Sequence, residues 1–248
     1  FSGTGKAWES TDSTVKSYNQ EPVGYPWENV GDSTGTATGK IFVYNLENGV
    51  YRLKQTISAQ NVENETGTVT ILNSGDEFGY DIDIDSAGST LVASSPKSDI
   101  NFVNQGSAYI FKFDNEKAKY ILKQDLRSYE DYPNEYFGHR VKVSNSIDKV
   151  VVGAKNAQYV LPTRFDSQQT TFDDGVTSWF DQQGTAGAVY VYDLKDDTYH
   201  LTEKLYEELS LNENFGYSLD VVGNIIAVGS PQYKAPSITN GRLVFTGR

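Results

Sequence analysis

The chain has 248 residues, 33 acidic against 21 basic, a formal net charge of −12, and neither Cys nor Met. That length suits one large domain or a row of small units. The charge disfavours nucleic acid and anionic membranes as partners, the lack of Cys excludes disulfides and thiolate chemistry, and no apolar run could cross a bilayer as a helix.

Strand-sized runs of period two recur along the chain, separated by Gly, Asn, Asp and Ser turns. A first, partial copy holds Gly39 to Tyr44 and Val50 to Leu53, with Val23-Gly24-Tyr25-Pro26 marking an earlier strand. The second copy opens at Phe78-Gly79, continues through Thr90 to Pro96 and Gly106 to Phe111, and closes at Tyr120 to Lys123. The third opens at Phe137-Gly138, continues through Val150 to Ala154 and Gly187 to Tyr192, and closes at Tyr199 to Leu201. The fourth opens at Phe215-Gly216, continues through Ile225 to Pro231, and stops after Gly241 to Phe245. The approximate repeats are 1–60, 76–125, 135–206 and 213–248, within a single domain spanning 1–248. No stretch carries a helical stripe. Four short antiparallel strands per repeat, in tandem, predict an all-β fold, a β-propeller of four-stranded blades. A sandwich or an elongated β-repeat array is the alternative.

The pair Phe-Gly … Gly-Ala/Ser-Pro resembles the FG-GAP repeat of integrin-α-like propellers. It stands as Phe78-Gly79 with Ser94-Ser95-Pro96, Phe137-Gly138 with Gly153-Ala154-Lys155, and Phe215-Gly216 with Gly229-Ser230-Pro231. The resemblance covers most of residues 20–248 and implies a propeller, usually of seven blades. Third-strand glycines at 39, 106, 187 and 241 leave room for about four blades, two of them incomplete. The chain is then a small or open propeller, or part of a larger ring completed by other segments. Phe1 and the absence of Met make it read as a processed or partial piece of something longer. Residues 1–22 are a candidate for the strand missing from the last copy, whose open edge would otherwise invite pairing.

Antiparallel order places the 2→3 and 4→1 connections on one edge and the 1→2 and 3→4 turns on the other. The long connections, 27–38, 60–77, 97–105, 128–136, 155–186, 207–214 and 232–240, all fall on the first edge. Loops carried on a rigid scaffold are where function concentrates. The insertion 155–186 is the sharpest candidate, with Tyr159, Arg164, Phe165, Phe172, Asp173, Asp174, Trp179 and Phe180. Such residues dominate binding hot spots, and they would equally serve to cap the blade. Trp27, with Tyr25 and Trp8, forms a second aromatic group, read as packing of the N-terminal segment.

The resemblance implies Ca²⁺ in the 1→2 turn for integrin-like members, since that ion takes six to eight oxygen ligands. The turns here, Asp85-Ser86-Ala87-Gly88, Asn145-Ser146-Ile147-Asp148 and Gly223-Asn224, are too poor in carboxylates. The alternation in Asp81-Ile82-Asp83-Ile84-Asp85 instead sends Ile82 and Ile84 to one face and the aspartates to the other. No cofactor, metal or catalytic residue is expected. His139 and His200, each alone on a strand, read as structural. Asn64-Glu65-Thr66 is a glycosylation sequon in a surface loop. The expected function is a non-enzymatic structural and recognition module outside a cell or on a virion. Its partners would be a protein or glycan on the long-loop face, and other chains of a larger assembly. The alternatives are a propeller hydrolase with a loop-face carboxylate site and a purely architectural spacer.

Overall fold

The structure is a computed structural model that describes residues 38–71, 73, 75–130, 132–144, 148–159, 184–206, 213–233, 236–239 and 242–245. Among these there is no helix, and the strands form several antiparallel sheets.

Strands β1 (Lys40–Glu47) and β2 (Val50–Ser58) pair as a hairpin. Next come β3 (Val62–Asn64) and β4 (Gly67–Val69), then β5 (Ile82–Ile84), β6 (Thr90–Ser95), β7 (Ser107–Asp114) and β8 (Lys119–Arg127). The last four form an antiparallel meander. A second meander contains β9 (Phe137–Ser144), β10 (Lys149–Ala154), β13 (Ala188–Lys195) and β14 (Thr198–Leu205). Between β10 and β13, the pair β11 (Gln158–Tyr159) and β12 (Gly184–Thr185) closes the base of the long insertion. Two hairpins follow, β15 (Ser218–Val222) with β16 (Ile225–Gly229), and β17 (Pro236–Thr239) with β18 (Arg242–Phe245).

Thus the second and third repeats each form the expected four-stranded sheet, in chain order. Two features differ from expectation. The connection 60–77 is not plain loop, because β3 and β4 form a hairpin and β3 adds parallel to the outer strand β8 at Asn64 and Leu122. Lys117 and Lys119 pair with Glu63 across this junction. The run after Gly241 does not pair with β16; it folds back on β17 with Thr239 opposite Arg242. The two residues between them in sequence are Asn240-Gly241, the dipeptide that most favours two-residue hairpins. Residues 1–22 and the Val23–Pro26 segment lie outside the described residues.

Consecutive sheets meet through contacts that repeat. Phe78 N–H donates to Thr38 O (3.0 Å), Phe137 N–H to Gln105 O (2.9 Å) and Phe215 N–H to Ala186 O (2.9 Å). Each of these bonds sits beside the glycine that precedes a third strand, Gly39, Gly106 and Gly187, all at positive φ. The rings of Phe78, Phe137 and Phe215 then enter three separate apolar clusters. The first spans β1, β2 and the β5–β8 sheet, the second spans that sheet and the β9–β14 sheet, and the third joins the latter to β15 and β16. The core is therefore a series of inter-sheet layers, with one Phe-Gly in each.

Farther out, the Gln55 side chain accepts from Tyr120 N–H and donates to Tyr120 O, both at 2.8 Å. Gln124 does the same to Tyr199, again at 2.8 Å. On the inner strands, Asp81 and Asp83 each accept at 2.8 Å from the backbone N–H groups of Val141 and Val143. Side chains of one sheet so satisfy backbone groups of the next, which an unpaired strand edge would otherwise expose. This is what the Asp-Ile alternation encodes: Ile82 packs against the first cluster, while Ile84 is exposed.

Candidate functional site

The residue after each Phe-Gly is Tyr80, His139 or Tyr217, in β9 or just ahead of β5 and β15, the first strands of consecutive sheets. Because the sheets repeat, these three rings line up. The Tyr80 and His139 centroids lie 5.5 Å apart, and those of His139 and Tyr217 lie 4.7 Å apart. His139 is buried and Tyr217 is exposed.

Cations sit against this arc. Arg140 lies 5.9 Å from the Tyr80 ring centroid and donates to His139 O at 2.9 Å. Lys155 lies 4.8 Å from the Tyr136 ring and 6.0 Å from that of Tyr217. Lys97 pairs with the buried Glu77 at 2.6 Å. Lys97 and Lys155 follow the second strands β6 and β10, and Tyr136 immediately precedes β9. The group thus occupies the edge that carries the long connections. Backbone bonds there tie the 2→3 segment to the 4→1 segment, as from Asn134 N–H to Val103 O (2.7 Å) and Tyr136 N–H to Asn104 O (3.1 Å).

The electrostatics follow from this crowding. Burial first, then Lys155 and Arg140, hold the His139 imidazole down to about 4, against a weaker pull from the Tyr217 backbone. Lys155 is itself held below the usual lysine range, by burial and then by Arg140 and Lys97, with Glu77 opposing. His139 is therefore neutral at pH 7, which makes it a packing ring rather than a charged one.

A second recurring feature lies two residues before each Phe, at Asp76, Glu135 and Glu213, all buried acids. Burial pushes the Asp76 carboxyl up to about 6, although Asn73 N–H donates to it at 2.9 Å. Burial, and then neighbouring carboxylates that include Asp76 and Glu135, push up the phenols of Tyr109 and Tyr190. Asp76 holds its proton to higher pH when folded than when unfolded. Its contribution to stability is present below about 3.8 and is lost as pH rises through about 6. Asp76→Asn is expected to stabilise the protein by about 1–3 kcal/mol at pH 7, the gain fading towards pH 4. Urea denaturation of both proteins across that range checks it, and a pH-independent difference would contradict it.

Of the site residues expected from sequence, Tyr159 falls on β11, at the base of the insertion. Arg164, Phe165, Phe172, Trp179, Phe180 and Trp27 lie outside the described residues, as do Asp173, Asp174, Trp8 and Tyr25. His200 is on the outer strand β14, its Nε2 2.8 Å from Thr198 Oγ1. Asp85 does not stand ready for a metal in its turn. Burial acts to raise its carboxyl, but bonds from Ser89 and Thr90 outweigh that and hold it low. Among the described residues no group of three or more His, Cys, Asp or Glu could hold a metal ion. Sequence reasoning missed Tyr80, Tyr136, His139, Arg140, Lys155 and Tyr217. The signal was present in the repeats: the position after each Phe-Gly is always a ring.

Compared with protein-family models and with curated proteins, the chain matches none.

Proposed function

We propose that this chain is an FG-GAP-type β-propeller, with about four blades within it, that acts as a non-enzymatic recognition and structural module. It works outside a cell or on a virion and meets a protein or glycan through the edge carrying the long connections. Further chains or domains of a larger assembly complete its surroundings. The observation that carries the reading is the recurrence of one inter-sheet joint at Phe78, Phe137 and Phe215, with a ring after each on the same edge. A scaffold that spends its repeats on identical joints and varies one edge is built to present that edge.

The test is selective binding of the folded chain to an array of glycans and extracellular proteins. Binding is expected to fall with Tyr217→Ala and Lys97→Ala, which shave the rim. It is expected to persist with Glu116→Ala and Lys195→Ala, which alter the short-turn edge. Binding to nothing on the array, or loss only with the short-turn variants, would overturn the reading.

A further inference from the structure

The rim gathers three cations although the chain as a whole is strongly acidic. Among the described residues, Lys97, Arg140 and Lys155 lie by the carboxylates of Glu77 and Asp81, with Lys142 and Asp83 paired beside them. Both carboxylates are engaged, Glu77 by Lys97 (2.6 Å) and Asp81 by Val141 N–H (2.8 Å). Arg140 and Lys155 have no carboxylate within ion-pair distance among the described residues. Their positive charge is met by the faces of Tyr80, Tyr136 and Tyr217 and by the His139 carbonyl. The aromatic arc is thus already occupied by the chain's own cations, so a cationic partner would be repelled. An anion placed between Arg140 and Lys155 would relieve their mutual repulsion and keep both ring contacts.

We propose that this rim binds an acidic sugar residue, its carboxylate between Arg140 and Lys155 and its ring against the exposed Tyr217. Two observations narrow the choice of anion. The net charge of −12 disfavours an extended polyanion, while a single carboxylate feels chiefly the nearby cations. A peptide strand cannot add to β9 at Val141 and Val143, because Asp81 and Asp83 already take those N–H groups. The exposed Tyr217 offers its ring to the C–H face of a pyranose and its hydroxyl to a sugar oxygen.

This inference rests on the recognition reading and deepens it. The experiment titrates glucuronate, glucose and N-acetylglutamate amide against the whole chain by NMR. The two imidazoles serve as reporters, His139 at the rim and His200 on the outer strand. Glucuronate is expected to shift the His139 signals, leave His200 unmoved, and bind about tenfold tighter than glucose, the factor of one charge-assisted hydrogen bond. Arg140→Gln and Lys155→Gln, each checked for folding by circular dichroism, are expected to remove that preference. Equal binding of glucose, no shift at His139, or unchanged affinity in both variants would overturn the site. N-acetylglutamate amide binding as tightly as glucuronate would overturn the sugar assignment. Array binding that survives both variants would sink this inference alone, whereas absence of array binding would sink the recognition reading itself.

Discussion

Gly106→Ala is expected to destabilise the protein by about 3–5 kcal/mol, at the extreme of what single substitutions do. Two effects add. Gly106 has φ +91°, and an L-residue forced towards left-handed backbone costs about 1–2 kcal/mol. The larger effect is the close approach. A Cβ on Gly106 would lie 2.1 Å from Phe137 O and 2.6 Å from Phe137 N. Both are backbone atoms of the joint between sheets, so no rotamer change relieves the clash. The β9 strand would have to withdraw, opening the layer that holds Ile110, Phe137, Val141 and Tyr190. Gly49→Ala is the control, since Gly49 has φ +82° but nothing within 4 Å of its added Cβ. It is expected to cost only the backbone share, about 1–2 kcal/mol. Urea denaturation midpoints for the two variants separate the effects, and equal losses would show that the close approach contributes nothing.

The same joint accounts for what could be read from the sequence. Strand positions in the second and third repeats follow from period-two alternation, and β6 at Thr90–Ser95 and β10 at Lys149–Ala154 fall where the apolar runs predict. The part played by glycine was legible too, because a Gly ahead of each Tyr/Val strand marks backbone that takes positive φ or approaches another chain segment closely. What eluded the alternation was anything set by short-range turn chemistry or by contacts between sheets. β18 pairs with β17, where the repeat phase pointed to β16. Asp81 and Asp83 reach a strand some 60 residues away, a distance at which no local pattern announces a partner. The rim was hidden for a similar reason. Tyr80, His139 and Tyr217 are one residue each from separate repeats, and they become a site only when three sheets stand side by side. Arg140 and Lys155 occupy positions where the other repeats carry Asp81 and Ser218, and Pro96 and Pro231. The repeats therefore differ at these two rim positions, the place where the proposed ligand would be told apart from others.

Phe137→Ala is expected to cost about 3–5 kcal/mol, the range for truncating a fully buried aromatic side chain. Phe137 has no exposed surface and packs edge-on against Tyr190 and Tyr192, with ring centroids 5.2 and 6.4 Å away. Such pairs add to the area term, and both tyrosines belong to β13, so the cavity would open inside the layer and could not collapse cheaply. Phe215 holds the equivalent position but is only partly buried, at the margin of its cluster. Phe215→Ala should accordingly cost less, about 1–2 kcal/mol, because solvent already reaches part of the ring. The ordering is the informative result. If the two truncations cost the same, burial does not govern the contribution of the Phe-Gly position, and the repeated joint is a backbone device alone. If Phe137→Ala leaves the denaturation midpoint unchanged, the aromatic layer between the β5–β8 and β9–β14 sheets does not hold them together. In the expected case the loss at Phe137 also reaches the rim. His139 is two residues along the same strand and is positioned by the same backbone, so its imidazole signals should move in Phe137→Ala.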